Sequence, residues 1–546
     1  MWLPWDDGTG PWAVVLDRSP YGPDGTELLA DLFLPYGMVA VSSQERATGQ
    51  SEGNWTFWAT AASDDQDTLA WIRRQSWANG KVFQMGFSAD GIMTTLAAML
   101  PQKIDAQWVG WTASQPYYVA FQGGAQRAQL TQHWLSHMHA YRRNTPPYID
   151  TLLNHEAWSQ WWDGRTMDAP SMLKDITWPG VWWMAQYDIF AQTGLDAFGL
   201  YQDHSGAAGK QKLLFNTRGH CVTSSAAGSA DPSAHDALTV GKEKPPRFFF
   251  PLDRLGDLWS YEQAVNLFKS IDTGDASYNA FEGIGRTSAA DLKAYTIYVL
   301  GPQNGTYGAH GNYYTTLDAF PMGTPTPLYL APSGVLSKTK PAASNAVAAQ
   351  YIYDPSDPVP SIGGNNLFMP CGPLPQNSLN SRKDILTWTT EPFSEDTAFA
   401  GRIKVTLYVS SNATDTDFTV RITDVYPDGA ETLLTDTIQR MRWRESDTTP
   451  SHMTPGQIYA IDIECWTMVQ ILPAGHSLAL HVSSSNYPRF SVNPNNGLLL
   501  NQTGPSYIAQ NAVFYGGPQA MSVVQVPFIP LSSLPNNVDT SGFHVE

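Results

Sequence analysis

Near residue 285 the hydrophobic rhythm of the chain changes, and this constrains the fold more than any other feature. Before that point, short apolar runs alternate with stretches of helical period. "WAVVLDRS" (Trp12–Ser19), "MVAVSS" (Met38–Ser43), "KVFQMGF" (Lys81–Phe87), "AQWVGWTA" (Ala106–Ala113), "GVWWMAQYD" (Gly180–Asp188) and "KLLFNTRGH" (Lys212–His220) read as strands. Between them, "TELLADLFLPYG", "DDQDTLAWIRRQ" and "IMTTLAAML" read as helices, and "SYEQAVNLFKSI" (Ser260–Ile271) closes the series. The second of these carries acids at its start and arginines at its end, as the helix dipole favours. Such alternation predicts a parallel sheet with helices on both faces. The stretch from Ser114 to Ile176 is aromatic and helical with no strand-like run, and it reads as a cap inserted over the end of that sheet.

After residue 285 helical period largely disappears. Strand-like runs recur between turn-rich segments: "LKAYTIYVLG", "GRIKVTLYVSS", "DFTVRITDVYPDG", "HSLALHVSSS". In "FTVRITDVY" polar and apolar residues alternate, as in a half-buried strand. An antiparallel sandwich or jelly roll is expected there. The expected layout is an α/β catalytic domain over residues 1–114 and 177–275, a helical cap over 115–176, and an all-β jelly roll over 285–546.

Composition excludes several function classes. With 50 acidic against 32 basic residues the formal net charge is −18. No basic cluster is long enough to track phosphates, so nucleic acid is not an expected partner. No run of about 18 apolar residues predicts a membrane span. The opening "MWLPWDDGTG" lacks the basic and apolar regions of a signal peptide, while the scarcity of Lys and abundance of Asn, Ser, Thr and Trp lean towards an extracellular life. Cys221, Cys371 and Cys465 are far apart and read as neither a disulfide framework nor a zinc ligand set.

The chemistry centres on "VFQMGFSADG". Ser88 follows a strand and precedes a helix, the context of a nucleophile on a tight elbow. Gly86 permits the close approach such a turn needs. The second glycine is displaced by one position, to Gly91, and Asp90 stands in its usual place. Asp188 and His220 each end a later expected strand, and Ser, acid, His is the chain order of α/β-hydrolases. Either alone reads equally as a loop acid or a surface histidine; the joint pattern carries the weight.

Longer segments carry a specific resemblance. "WIRRQSWANGKVFQMGFSADG", "QYDIFAQTGLDAF", "RGHC", "RSPYG" and "QERATGQSEG", with "YDPSDPVPSIGGNNL" and "SSSNYPRFSVNPN" in the second half, resemble the cocaine esterase family, which includes X-Pro dipeptidyl-peptidases and α-amino-acid ester hydrolases. The resemblance implies an α/β-hydrolase domain with a cap, followed by a galactose-binding-like jelly roll. It implies Ser88 as nucleophile, His220 as base and Asp188 as its orienter. Tyr21 and the backbone N–H of Ala89 would form the oxyanion hole, and Phe190 would touch the acyl group. Cap aromatics Tyr117, Trp158 and Trp162 are candidates for the same pocket, or for packing the cap on the sheet. The expected partner is a small ester or amide, with no metal or organic cofactor, and the oligomeric state is left open, a homodimer included. An acyl esterase is the first expectation; an X-Pro dipeptidyl-peptidase, an amino-acid ester hydrolase or a decayed jelly-roll binding protein are the alternatives.

The chain also departs from that family. Ala89 replaces a tyrosine, and Thr217-Arg218 precede Gly219 where Pro-Trp is usual. The chain begins where the family's third strand would, which predicts an unpaired sheet edge. Asp90 is expected to favour the helix start, or, if turned inward, to raise the affinity of His220 for its proton. His133, His137 and His139 share a helical segment but lack the Glu of a zinc-protease motif, with Trp134 in its place. Cys221, beside His220, is not expected to act as a nucleophile.

Overall fold

The computed structural model describes residues 1–4, 10–22, 25–101, 103–141, 148–167, 171, 173–221, 253–280, 292–303, 310–341, 347–517 and 520–538. The first half builds a largely parallel sheet. Its strands are β1 (Trp12–Ser19), β2 (Val39–Gln44), β3 (Ala78–Phe87), β4 (Ala106–Gly110), β5 (Gly180–Tyr187), β6 (Gln211–Gly219), β7 (Tyr295–Val299) and β8 (Tyr313–Leu317). Their spatial order is β8-β7-β6-β5-β4-β3-β1-β2, with only β8 antiparallel to its neighbour. Strands β4 and β5 are buried throughout, as expected for a sheet covered on both faces.

Two expectations are corrected here. Tyr295–Val299, assigned above to the jelly roll, pairs in parallel with β6 and extends the first sheet. A short apolar strand carries no local mark of which sheet it joins. The expected bare edge at β2 is partly covered, because Trp2 and Ala40 exchange backbone hydrogen bonds at 2.9 and 3.0 Å.

Helices α1 (Gly25–Phe33), α2 (Ala61–Ile72), α3 (Ala89–Leu96), α4 (Ala128–Tyr141) and α6 (Asp253–Thr273) overlap the helical stretches of the sequence, and α5 (Ala191–His204), not read as a helix there, follows β5. Helix α4 belongs to the cap, with three shorter helices and a two-residue ladder between Phe121–Gln122 and Ala125–Gln126. The cap is tied to the second domain: Glu156 accepts from Arg442 Nε at 3.1 Å and Trp443 Nε1 at 2.8 Å.

The second domain is a sandwich of thirteen strands among the described residues, almost all antiparallel. Asp417–Val425 is buried on both faces for eight of its nine residues rather than half-exposed. Its polar side chains have partners: Asp417 accepts from Arg440, Thr423 donates to Glu431, and Arg421 donates to the carbonyl of Pro360 in a neighbouring loop. That loop also reaches the first domain, as described below.

Candidate active site

β3 ends at Phe87, and Ser88 turns the chain into α3 with φ 62° and ψ −127°. A left-handed serine is strained, and such outliers concentrate at functional sites. The turn explains both glycines. A Cβ on Gly86 would collide with Thr94 and the Asp90 carbonyl, and one on Gly91 would lie 2.6 Å from the Gly110 carbonyl. Helix α3 thus returns close over β3 and β4, and the displaced second glycine serves the packing against β4.

Asp188 and His220 stand just beyond β5 and at the end of β6. His220 Nε2 lies 2.8 Å from Ser88 Oγ, and Nδ1 lies 2.6 Å from Asp188 Oδ2. Asp188 Oδ1 accepts from the Phe190 backbone N–H at 2.7 Å. Asp188 is fully buried and His220 nearly so. With Nδ1–H donated to the carboxylate, Nε2 is left as the acceptor facing the hydroxyl. The imidazole packs on Trp111 and, edge to face, on Phe190, with ring centroids 4.9 and 5.5 Å apart.

The Ala89 N–H opens α3, where a first-turn donor has no intrahelical partner. Tyr21 follows β1, and its backbone N–H donates to Ser19 Oγ at 3.2 Å. Its phenol oxygen accepts from Trp134 Nε1 of the cap at 2.7 Å. An N–H donated into a phenol oxygen polarises its O–H and makes it a stronger donor.

Ser88 and Ala89 help line an apolar pocket. Phe57 and Trp58, Leu130, Trp134 and Leu135 of α4, Leu152, Phe190, and Leu367 from the second domain line it. Of the residues expected at the acyl group, Phe190 is among those lining the pocket. Tyr117, Trp158 and Trp162 do not line the pocket. They form the cap's own core, with Tyr117 centred 5.1 Å from Trp158 and 5.3 Å from Trp162. Tyr117 O–H donates to the Glu156 carbonyl, and Trp162 Nε1 to that of His155. Phe57 and Trp58 were not singled out from sequence. Both adopt left-handed φ, 51° and 67°, which puts two consecutive strained aromatics at the pocket wall.

Asp90 lies in the first turn of α3, at the helix start. Its Oδ1 is out of contact with solvent and has no partner among the described residues. Burial, then the charge of Asp17, hold its carboxyl well above the usual range, against the Ser19 hydroxyl; Glu45 adds to the rise. Asp17 and Glu45 are themselves pushed up to about 7, chiefly by burial.

His133 Nδ1 contacts the Gln129 carbonyl at 2.9 Å, and its ring packs on Phe368. The side chain of His139 lies outside the described residues. Among the described residues no group of three or more His, Cys, Asp or Glu is arranged to hold a metal ion.

The reading of the cysteines is corrected. Cys221 and Cys371 form a disulfide with Cα atoms 5.8 Å apart, and Cys465 is buried and free. The partners are 150 residues apart in sequence. Their pairing depends on how the two domains dock, which spacing alone does not reveal.

Comparison with known proteins agrees with this architecture. Residues 1–147 match the family described as X-Pro dipeptidyl-peptidase (S15 family), and residues 288–525 match the X-Pro dipeptidyl-peptidase C-terminal non-catalytic domain. Cocaine esterase of Rhodococcus sp. (strain MB1 Bresler) is 26% identical, over 96% of this chain and 95% of that protein. An aminopeptidase from a marine sediment Thaumarchaeota archaeon superposes with a TM-score of 0.78 at 18% identity, covering 96% of this chain and 93% of that one. An α-amino acid ester hydrolase does so with a TM-score of 0.76 at 21% identity and the same coverage.

Proposed function

The chain belongs to the cocaine esterase and X-Pro dipeptidyl-peptidase family of serine hydrolases, and from that premise we propose that it is an acyl esterase working through Ser88, His220 and Asp188. The observation that carries this reading is the series Ser88 Oγ, His220 Nε2, His220 Nδ1, Asp188 Oδ2, with contacts of 2.8 and 2.6 Å, on a strained elbow beside an apolar pocket.

Ser88 Oγ attacks the substrate carbonyl carbon while His220 Nε2 takes its proton. Asp188 holds the ring in the tautomer that can accept, and stabilises the imidazolium that forms. Negative charge grows on the carbonyl oxygen, where the Ala89 N–H and the Tyr21 hydroxyl donate to it. Collapse of the tetrahedral species expels the alcohol, which takes the proton from His220. Water, deprotonated by His220, then attacks the acyl-enzyme and regenerates Ser88.

The pocket argues for the acyl group. Its lining is apolar apart from Ser88 and Thr131. A dipeptidyl-peptidase or an amino-acid ester hydrolase must hold a substrate ammonium, and a carboxylate in the pocket wall is the natural partner for it. None is found among the described lining residues. The reading is therefore an ester of an uncharged branched or aromatic acid.

The test is a panel of p-nitrophenyl esters and aminoacyl-Pro anilides, run with Ser88→Ala beside the parent. Turnover of apolar acyl esters that Ser88→Ala abolishes is expected. Preferential release of dipeptides from the anilides would overturn the esterase reading in favour of a peptidase. A folded parent that hydrolyses neither and resists a fluorophosphonate would favour a non-catalytic binding protein.

A further inference from the structure

We infer that the Cys221–Cys371 disulfide is a positioning device for the catalytic base, so that breaking it with a thiol reductant slows the enzyme without unfolding it. The inference rests on the proposed roles of Ser88, His220 and Asp188.

Cys221 is bonded directly to His220, whose Nε2 must stay within reach of Ser88 Oγ. Cys371 sits in the loop of the second domain running from 362 to 374. This loop is braced by its own hydrogen bonds. Gly364 and Gly372 exchange backbone hydrogen bonds at 2.8 and 2.9 Å, Asn366 Nδ2 donates to the carbonyls of Gly363 and Pro370, and Gln376 Nε2 to those of Ile362 and Leu374. It is a firm platform rather than a slack tether.

The same platform holds the acid. Asn365 Nδ2 donates to the Gln186 and Asp188 carbonyls at 3.1 and 2.8 Å. Arg127 of the cap spans the Ile189 and Asn365 carbonyls at 2.7 and 2.8 Å. One loop of the second domain therefore grips both the turn that carries the acid and the residue after the base. It grips the acid through hydrogen bonds and the base through a covalent bond. The sulfur of Cys371 also packs on the chain just before His220, since a Cβ on Gly219 would collide with it. His220 is thus flanked on both sides by contacts to a single sulfur atom of the other domain.

Of these attachments only the S–S bond answers to the redox state of the surroundings. A dithiol reductant gives up two electrons and two protons and closes to its own disulfide; the Cys221–Cys371 bond breaks and both sulfurs become thiols. Asp188 stays clasped by Asn365, while the residue after His220 loses its covalent anchor. Displacement by about 1 Å can cost about 100-fold in a catalytic step. The acyl pocket keeps its walls at Phe57, Trp58 and α4, and Leu367 stays held by the loop's own hydrogen bonds, so the loss falls on kcat rather than KM.

The full chain is prepared under oxidising conditions, and the link is checked by peptide mapping without reductant. kcat and KM for p-nitrophenyl butyrate are measured before and after dithiothreitol, with near-UV circular dichroism on the same samples. The expected result is a fall in kcat of roughly ten- to a hundredfold, KM within about threefold, a retained near-UV spectrum, and recovery on reoxidation. Cys371→Ser should start slow, ignore dithiothreitol and fail to recover. Absence of the link, an unchanged kcat on reduction, or a loss that merely tracks unfolding each overturns the inference. Ser88→Ala in the oxidised state separates the two readings. If it keeps the parental rate, the proposed nucleophile is wrong; if it is inactive while the reduced parent keeps its full rate, only the role of the disulfide fails.

Discussion

Replacing Asp188 with Asn tests the site through a change of one atom type at constant shape. In the parent, Oδ1 accepts the Phe190 N–H at 2.7 Å and Oδ2 accepts His220 Nδ1–H at 2.6 Å. An asparagine has one acceptor for these two donors. If its oxygen stays on the Phe190 N–H, its NH₂ faces Nδ1. The imidazole must then accept there and carry its proton on Nε2, which can no longer take the Ser88 proton. If the amide flips, two N–H donors face each other at a fully buried site, at a cost of about 1–3 kcal/mol. The first arrangement is the cheaper and is catalytically silent. We expect kcat/KM for p-nitrophenyl butyrate to fall roughly 10³- to 10⁴-fold, which is about 4–5.5 kcal/mol of transition-state stabilisation at about 1.36 kcal/mol per decade. Thermal melting should move little, because the shape is kept and one of the two hydrogen bonds survives. A folded Asp188→Asn within tenfold of the parent would refute the assignment of Asp188 as the group that orients His220 (tenfold being about 1.4 kcal/mol).

Three further outcomes are expected. Tyr21→Phe removes the proposed oxyanion donor and should lower kcat by roughly 10²- to 10³-fold, with KM little changed in steady-state assays. Leu130→Trp should fill the pocket and cut turnover of aromatic and branched acyl esters at least about tenfold more than that of acetate, measured as a ratio of kcat/KM values. Glu45 is held up to about 7 by burial, above its ordinary value of 4.5, so the folded chain binds the extra proton between those pH values. Stability from this group is then fully present below pH 4.5 and is lost as pH rises through about 7. Trp55 Nε1 donates to Glu45 Oε2 at 2.8 Å; Glu45→Gln keeps an acceptor for it and should flatten that decline, by at most about 3 kcal/mol between the two ends, in urea melts across pH.

Much of the first domain was legible because its signals are local. Strand-like runs, the helices between them and the elbow at Ser88 each depend on neighbours in the chain. Asp188 and His220 were legible because the end of a strand in such a sheet is itself a local feature. What escaped was set by docking. Tyr295–Val299 is a short apolar strand that either sheet would accept, and the edge of β6 claimed it. The cap aromatics Tyr117, Trp158 and Trp162 were plausible pocket walls, yet Tyr117 packs edge to face on both tryptophans. Phe57, Trp58 and Trp134 line the pocket instead, and no periodicity separates the two sets. Asp90 was read from its place at a helix start, whereas its surroundings come from β1. The Cys221–Cys371 bond is the extreme case, since its partners meet only once both domains are assembled.

The most direct test of the central claim is to locate the nucleophile chemically. The folded chain is treated with a fluorophosphonate, digested, and the modified peptide sequenced by mass spectrometry. A single adduct on Ser88, absent from Ser88→Ala and strongly slowed in His220→Ala, is predicted. An adduct on another residue, or a folded parent that stays unlabelled while it hydrolyses p-nitrophenyl esters, would contradict it.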